Sequence, residues 1–324
     1  MNKLIRMLTS LAVVLAFGGT AFAKEFRSAD VHPDDYPTVM AVKKMSDIIS
    51  EKTGGKDTIK VFGNSALGSE KDTVEQVKLG ALDMVRVNVA AFNNIVPETI
   101  VPALPFLFKS KEHMRKCLDG PVGDQILAAL EAQGFIGLAF YDSGSRSFYT
   151  TSKPIKSVAD VKGMKLRVQQ SDMWVTLIQS MGGNPTPLPY AEVYTALKTG
   201  VVDGAENNWP SYESSHHYEV AKFYSLTEHS MSPELLVFSK KIWDTLTKDE
   251  QDIIRAAAKE SVPYMRELWD AQEAKSRQTV EAGGATIITD IDRQGFVDAA
   301  KPVYDKFAAD PKLQDLIKQI QATE

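Results

Sequence analysis

Short apolar segments alternate with longer amphipathic ones along most of the chain, the pattern of an α/β protein. "TIKVFG", around Ile59, predicts a strand, and "SEKDTVEQVKLGAL", from Ser69, predicts a helix closing at Gly80. In "DMVRVNVAAF", from Asp83, the two-residue period of a strand puts Val85, Val87 and Val89 on one face and Arg86 and Asn88 on the other. "GFIGLAFYDSG", "MKLRVQ" and "VVDGAEN" predict further strands. "FYSLTEHS" and "ELLVFSK" flank Ser232-Pro233 closely enough to predict a chain crossing between domains.

One long helical run follows. Thr247-Lys-Asp-Glu250 matches a capping box, and the pattern continues to a stop at Gly283-Gly284. At about 1.5 Å per residue the run spans roughly 50 Å, more than the width of a small domain. It predicts a spine touching both domains. Pro263 inside it either kinks the helix or splits it in two.

The opening "MNKLIRMLTSLAVVLAFGGTAFA" has a basic start at Lys3 and Arg6, an apolar stretch from Leu8 to Phe17 and a small-residue site at Ala21-Phe22-Ala23. It reads as a signal peptide cleaved after Ala23, which places the mature protein in the periplasm. Removing 23 of 324 residues leaves 301, a length that favours two domains. Losing Lys3 and Arg6 takes the formal net charge from −5 to −7, which argues against a nucleic-acid partner. Elsewhere no stretch approaches the roughly 20 apolar residues of a membrane span. A single cysteine, Cys117, excludes an internal disulfide and reads as a buried, inert thiol.

Signatures of catalysis are missing. The sequence has no nucleophile elbow, phosphate loop, dinucleotide fingerprint or H-E-x-x-H run. His216 and His217 are adjacent, about 100° apart on a helix, and His32 with Asp34 and Asp35 has no partner at ligand spacing. No metal, cofactor or enzymatic activity is expected. The one acid–base pair that can be assembled is Glu206 with His229 or His32.

What remains is polar chemistry at strand ends, where open α/β sheets bind ligands. Arg86 and Asn88 share a strand face, Arg146 follows a strand in "SGSRSFY", and Asn207 and Asn208 end "VVDGAENN". Arg167 sits between Leu166 and Val168 in an apolar strand. A guanidinium there either snorkels to water, pairs with a structural acid, or faces an anionic ligand whose carboxylate its fork matches.

The run "VKGMKLRVQQSDMWVTLIQSMGGNPTPLPYAEVYTALKTGVVDGAENNW", with "NSALGSEKD", "LPFLF" and "GSRSFYT" upstream, resembles the substrate-binding proteins of tripartite ATP-independent periplasmic (TRAP) transporters. The similarity covers essentially the whole mature chain. It implies a two-domain α/β clamshell with a connecting helix and a ligand cleft, the domains being residues 24–144 plus 233–272 and residues 145–232 plus 273–324. It implies that Arg167 grips a ligand carboxylate, with Arg146 and Asn207 nearby, and that a membrane-embedded permease is the partner of a monomeric protein.

Many members of that family carry proline after the E-N pair, where this chain has Asn208-Trp209. "RVQQSDMW", "ENNWPSYESS" and "YSLTEHS" resemble a subset that binds hexuronates such as glucuronate or galacturonate. C4-dicarboxylates, sialic acid and aromatic acids are the alternatives among relatives. One carboxylate and several hydroxyls call for arginine and a ring of mixed donors and acceptors. Candidates are His32, Glu70, Arg86, Asn88, Gln169 and Asn208, with Tyr36, Trp209 or Tyr212 against an apolar sugar face. Glu70 also suits the first turn of a helix. Asn208 is placed either to cap the helix that Pro210 starts or to give a ligand its amide.

Overall fold

The computed structural model describes residues 23–324, so the expected signal segment lies outside the described residues. Eleven strands form two sheets: β1 Lys24–Ala29, β2 Asp57–Phe62, β3 Met84–Asn88, β4 Phe135–Tyr141, β5 Arg146–Thr150, β6 Lys165–Val168, β7 Asn184–Pro187, β8 Gly204–Asn207, β9 Phe223–Ser230, β10 Glu234–Ser239 and β11 Thr286–Ile288. The first sheet has the order β2-β1-β3-β10-β4 and the second β11-β9-β5-β8-β6-β7. No helix among the described residues is long and apolar enough to cross a membrane.

Both sheets are mixed, and in the second a parallel β11–β9 pair closes the far edge. β1 runs parallel to β2 and β3, while β10 runs antiparallel to β3 and β4. β6 runs parallel to β7 and β8, and β5 antiparallel to β8 and β9. Both faces of β3 are covered, so all five of its residues are buried. Val85, Val87 and Val89 pack in one apolar cluster and Met84 in another. The expected strand stops sooner than its valines suggest, because Val89–Phe92 turns into a 3₁₀ helix capped by the Asn88 side chain. β8 likewise starts at Gly204 rather than Val201, which lies exposed beyond the sheet. Gly204 is needed there: a Cβ would lie 2.6 Å from the Tyr149 carbonyl oxygen on the neighbouring strand.

The chain passes between the sheets at residues 142–145, after β4, and at residues 231–233, before β10. A third link is the helix Lys248–Ala282, 35 residues long, with the Thr247–Glu250 capping box in place. Pro263 does not split it. This proline faces solvent beside an exposed Lys259, whose freed carbonyl water can satisfy. Ile254, Ala257, Ala258, Ser261, Met265 and Trp269 bury one stripe against the first lobe. Nearer its end, Ser276 Oγ donates to Glu213 of the second lobe at 2.7 Å, and Arg277 lies over the Trp209 ring. The C-terminal helix Pro311–Ala322 returns to the first lobe, where the Ile320 carbonyl sits 3.0 Å from His113 Nε2, and Cys117 is buried alongside.

His217 gives this core a pH dependence. It is buried, with Nδ1 2.8 Å from the Tyr149 hydroxyl. Burial, with the Arg167 guanidinium adding to it, lowers its pKa from 6.5 to about 3. Between those values the unfolded chain takes a proton that the native imidazole refuses, so stability falls as pH drops. From pH 7 to pH 5 this group contributes a loss of about 2 kcal/mol. Urea unfolding at both pH values should therefore show a smaller acid-induced loss in His217→Gln than in the parent. Equal losses would mean that His217 is not held neutral.

Candidate functional site

The carboxyl ends of β1, β3, β6 and β8 point into the cleft between the sheets, joined by the start of β5 and of β10. Those ends carry the polar residues that a strand interior would not tolerate. They line a small cavity that adjoins a wider one, the two sharing Glu70, Arg167, Gln169 and Tyr190. From the first lobe the wall takes Val31, His32, Glu70, Asn88 and Glu234. From the second it takes Arg146, Arg167, Gln169, Tyr190, Asn207 and Ser211. Seven residues expected from the sequence thus come together: Arg167, Arg146, Asn207, Gln169, Asn88, Glu70 and His32.

The three arginines of this region differ in their partners. Arg86 is 1 % exposed and fully spent. Its Nε donates to Asp30 at 2.7 Å, Nη2 donates to the same carboxylate, and Nη1 donates to Glu234 at 2.5 Å. Burial disfavours its charge, but Asp30 and then Glu234 outweigh that and hold its pKa well above the ordinary value. Arg146 forks onto Glu206 through Nε at 2.6 Å and Nη2 at 2.9 Å, with its guanidinium over the Trp174 ring. Burial pushes the Glu206 carboxyl up, but Arg146 more than offsets this and leaves it below the usual range. His229 stands behind, Nε2 3.6 Å from Glu206, and is fully buried. Glu206 is therefore a partner for Arg146 rather than a free base.

Arg167 is 3 % exposed and bonds no carboxylate among the described residues. Nε and Nη2 both donate to the Leu188 carbonyl, at 2.9 and 2.7 Å. Burial pulls its pKa below the ordinary arginine value, with Glu206 acting against it from a distance. A desolvated cation held by one neutral acceptor retains capacity to pair with an anion.

Around it lie groups with unused hydrogen-bonding capacity. Gln169 Oε1 and His32 Nδ1 are buried without partners among the described residues. His32 is kept neutral, first by burial and then by Arg86 and Arg146. Asn207 Oδ1 accepts from the Asn208 N–H at 2.9 Å, while its Nδ2 bonds no protein group among the described residues. Glu70 Oε1 accepts from the Asn88 N–H at 2.9 Å. Burial raises the Glu70 pKa, and Glu234 adds to the rise.

Four expected residues stand behind the wall instead. Arg86 is consumed by its two acids. Tyr36 stacks on His32 at 3.8 Å, with its hydroxyl 2.9 Å from Ser211 Oγ. Tyr212 donates to the Ala221 carbonyl at 2.6 Å and packs on Tyr149 and Tyr224. Asn208 Oδ1 accepts from the Ser211 N–H at 2.8 Å, capping Trp209–Ser214, and its Nδ2 donates to Ser143 at 3.1 Å. Trp209 also lies outside, stacked on Tyr224 at 3.9 Å. The sequence reading missed Tyr190, Ser211 and Glu234. Of these, Glu234 had a signal, as a carboxylate opening a buried strand just after Pro233.

The lobes touch directly across the cleft. Ser171 Oγ donates to Asn93 Oδ1 at 2.8 Å, the Asp172 N–H donates to Asn94 at 3.2 Å, and Tyr190 packs edge-on to His32 at 4.9 Å.

The family model for DctP, bacterial extracellular solute-binding protein family 7, matches residues 28–310. A TRAP periplasmic solute-binding protein of Bradyrhizobium sp. BTAi1, solved in complex with α/β-D-galacturonate, is 63 % identical. It superposes with a TM-score of 0.92 over 93 % of this chain and 100 % of its own. Its counterpart from Xanthobacter autotrophicus Py2, with bound β-D-galacturonate, is 58 % identical at a TM-score of 0.91, covering 92 % and 100 %. A solute-binding protein of Chromohalobacter salexigens is 42 % identical over 303 residues, 93 % of this chain and 90 % of its own.

The Asn208 geometry has a measurable consequence. Asn208→Ala removes the cap and should lower stability by about 1 kcal/mol, whereas Asn208→Asp keeps the acceptor and should lose less. Denaturant unfolding distinguishes the two, and an unchanged midpoint in the alanine variant would exclude the capping role.

Proposed function

Because the chain belongs to family 7 of the bacterial extracellular solute-binding proteins, DctP, we propose that it captures a hexuronate and hands it to a TRAP-type membrane permease. This is a family of binding proteins, not of enzymes, so the bound molecule leaves unchanged. The observation that carries the reading is Arg167, a buried guanidinium facing the cavity without an acid of its own. A ligand carboxylate supplies the missing charge, with Arg146 beside it. Hydroxyls on the rest of the ring meet the unused capacity of Gln169, His32, Asn207 and Glu70.

Capture proceeds by closure of the lobes about the crossings at 142–145 and 231–233. The clamshell halves are residues 24–144 plus 233–272 and residues 145–232 plus 273–310, with the final helix returning to the first half. We place the mature protein in the periplasm as a monomer, processed after Ala23. The two galacturonate-bound relatives support the choice of ligand class, and the one cavity-facing arginine without an ion pair among the described residues supports one carboxylate.

Titration calorimetry tests the reading. D-galacturonate or D-glucuronate should bind the parent, and Arg167→Ala should lose about 3–5 kcal/mol of binding because the buried carboxylate is left unpaired. That is two or more powers of ten in affinity. A uronate at a hundredfold over its dissociation constant should also stabilise the parent by about 2.7 kcal/mol in a melting experiment. If C4-dicarboxylates shift the melting temperature and uronates do not, the hexuronate assignment is wrong. Parent-like affinity in Arg167→Ala would remove the arginine from its role.

A further inference from the structure

The charges around the cavity are sorted by lobe. Both cavity-facing guanidiniums, Arg146 and Arg167, come from the second lobe, and both carboxylates on the wall that faces them, Glu70 and Glu234, come from the first. With Asp30 and Glu206 behind them, the region holds four carboxylates against three guanidiniums, Arg86 being the third. Glu234 is matched by Arg86 at 2.5 Å, and Glu206 by Arg146 at 2.6 Å. Glu70 is not matched: it accepts the Asn88 N–H and forms no ion pair among the described residues. It opens the helix Glu70–Leu79, whose capping box at Ser69 and Asp72 fixes where it points. Near it lie the unpartnered Gln169 Oε1 and His32 Nδ1, both more than nine-tenths buried.

A ligand bridging this cavity must therefore be polarised. The end toward the second lobe carries the negative charge, and the end toward the first lobe must donate hydrogen bonds. We propose that Glu70 is a charge-selective residue: it accepts a sugar hydroxyl from a monocarboxylate and repels a second carboxylate, so sugar acids oxidised at both ends are excluded. Like charges held close in a desolvated site cost several times more than the same pair in water. Discrimination of this kind comes from a repulsive element as well as an attractive one. The inference rests on the hexuronate reading above and adds the reason for one carboxylate rather than two.

Calorimetry with D-galacturonate and galactarate, which differ by oxidation of the far carbon, tests it at pH 7.5. The parent should prefer galacturonate by at least a hundredfold. Glu70→Gln, which keeps shape and removes charge, should cut that preference at least tenfold. Glu70→Asp, which keeps the charge, should leave galactarate disfavoured. Melting curves of the unliganded variants establish that each is folded. If the parent binds galacturonate but takes galactarate within tenfold, the filter is refuted and the hexuronate reading survives. An unaltered preference in Glu70→Gln, or its loss in Glu70→Asp, refutes the filter as well. Absence of any galacturonate binding by the parent defeats the hexuronate reading and the filter with it.

Discussion

A guanidinium cannot shed its proton in a protein, so each one taken from water must find negative charge. Three arginines meet where the two sheets face each other, and that requirement organises the region. Arg86 draws Asp30 and Glu234 together, tying the end of β1 to the start of β10 across β3. Arg146 binds Glu206 and ties β5 to β8. Each lobe thereby acquires a rigid polar floor at its cleft edge. Of the three, Arg167 alone is left with a carbonyl and no carboxylate among the described residues.

The floors would be useless if the lobes could not find each other. Lys248–Ala282 keeps them in register from behind, packing along the first lobe and bonding to the second near its end. In front, the contacts of Asn93 with Ser171 and of Tyr36 with Ser211 join the lobes directly. On the closure proposed above, these protein–protein bonds would add to the contribution of the ligand carboxylate.

How much of this could be read from the sequence follows from how local each cause is. Arg167 and Asn207 stood out because a charge or an amide at the end of an apolar strand contradicts its neighbours, and that contradiction needs only four or five residues to see. The long helix was legible from its capping box and its stripe, although Pro263 left its continuity open until the proline was seen to face solvent. Arg86 looked equally anomalous, yet its acids lie 56 and 148 residues away, and nothing local says that they converge on it. Asn208 was ambiguous for the opposite reason: the nearby Pro210 supports a cap, and only the Ser211 N–H decides it. Tyr190 lies in a connection whose conformation tertiary packing sets, so its place on the wall left no periodic trace.

The strand order carries a consequence for how such a chain can be made. β10 sits between β3 and β4, so the first sheet lacks its fourth strand until Ser239 is available. The second sheet waits for β11, ending at Ile288, and the first lobe is not covered until the helix at Pro311–Ala322 arrives. A chain emerging N-terminus first, from a ribosome or through a translocation pore, therefore cannot finish one lobe and then begin the other. The edge of β3 stays open for about 150 residues of synthesis and that of β4 for about 100, exposed to wrong pairing. Interleaving the lobes therefore leaves neither sheet complete until late in synthesis, and a holdase guarding those two edges would act before the cleft exists.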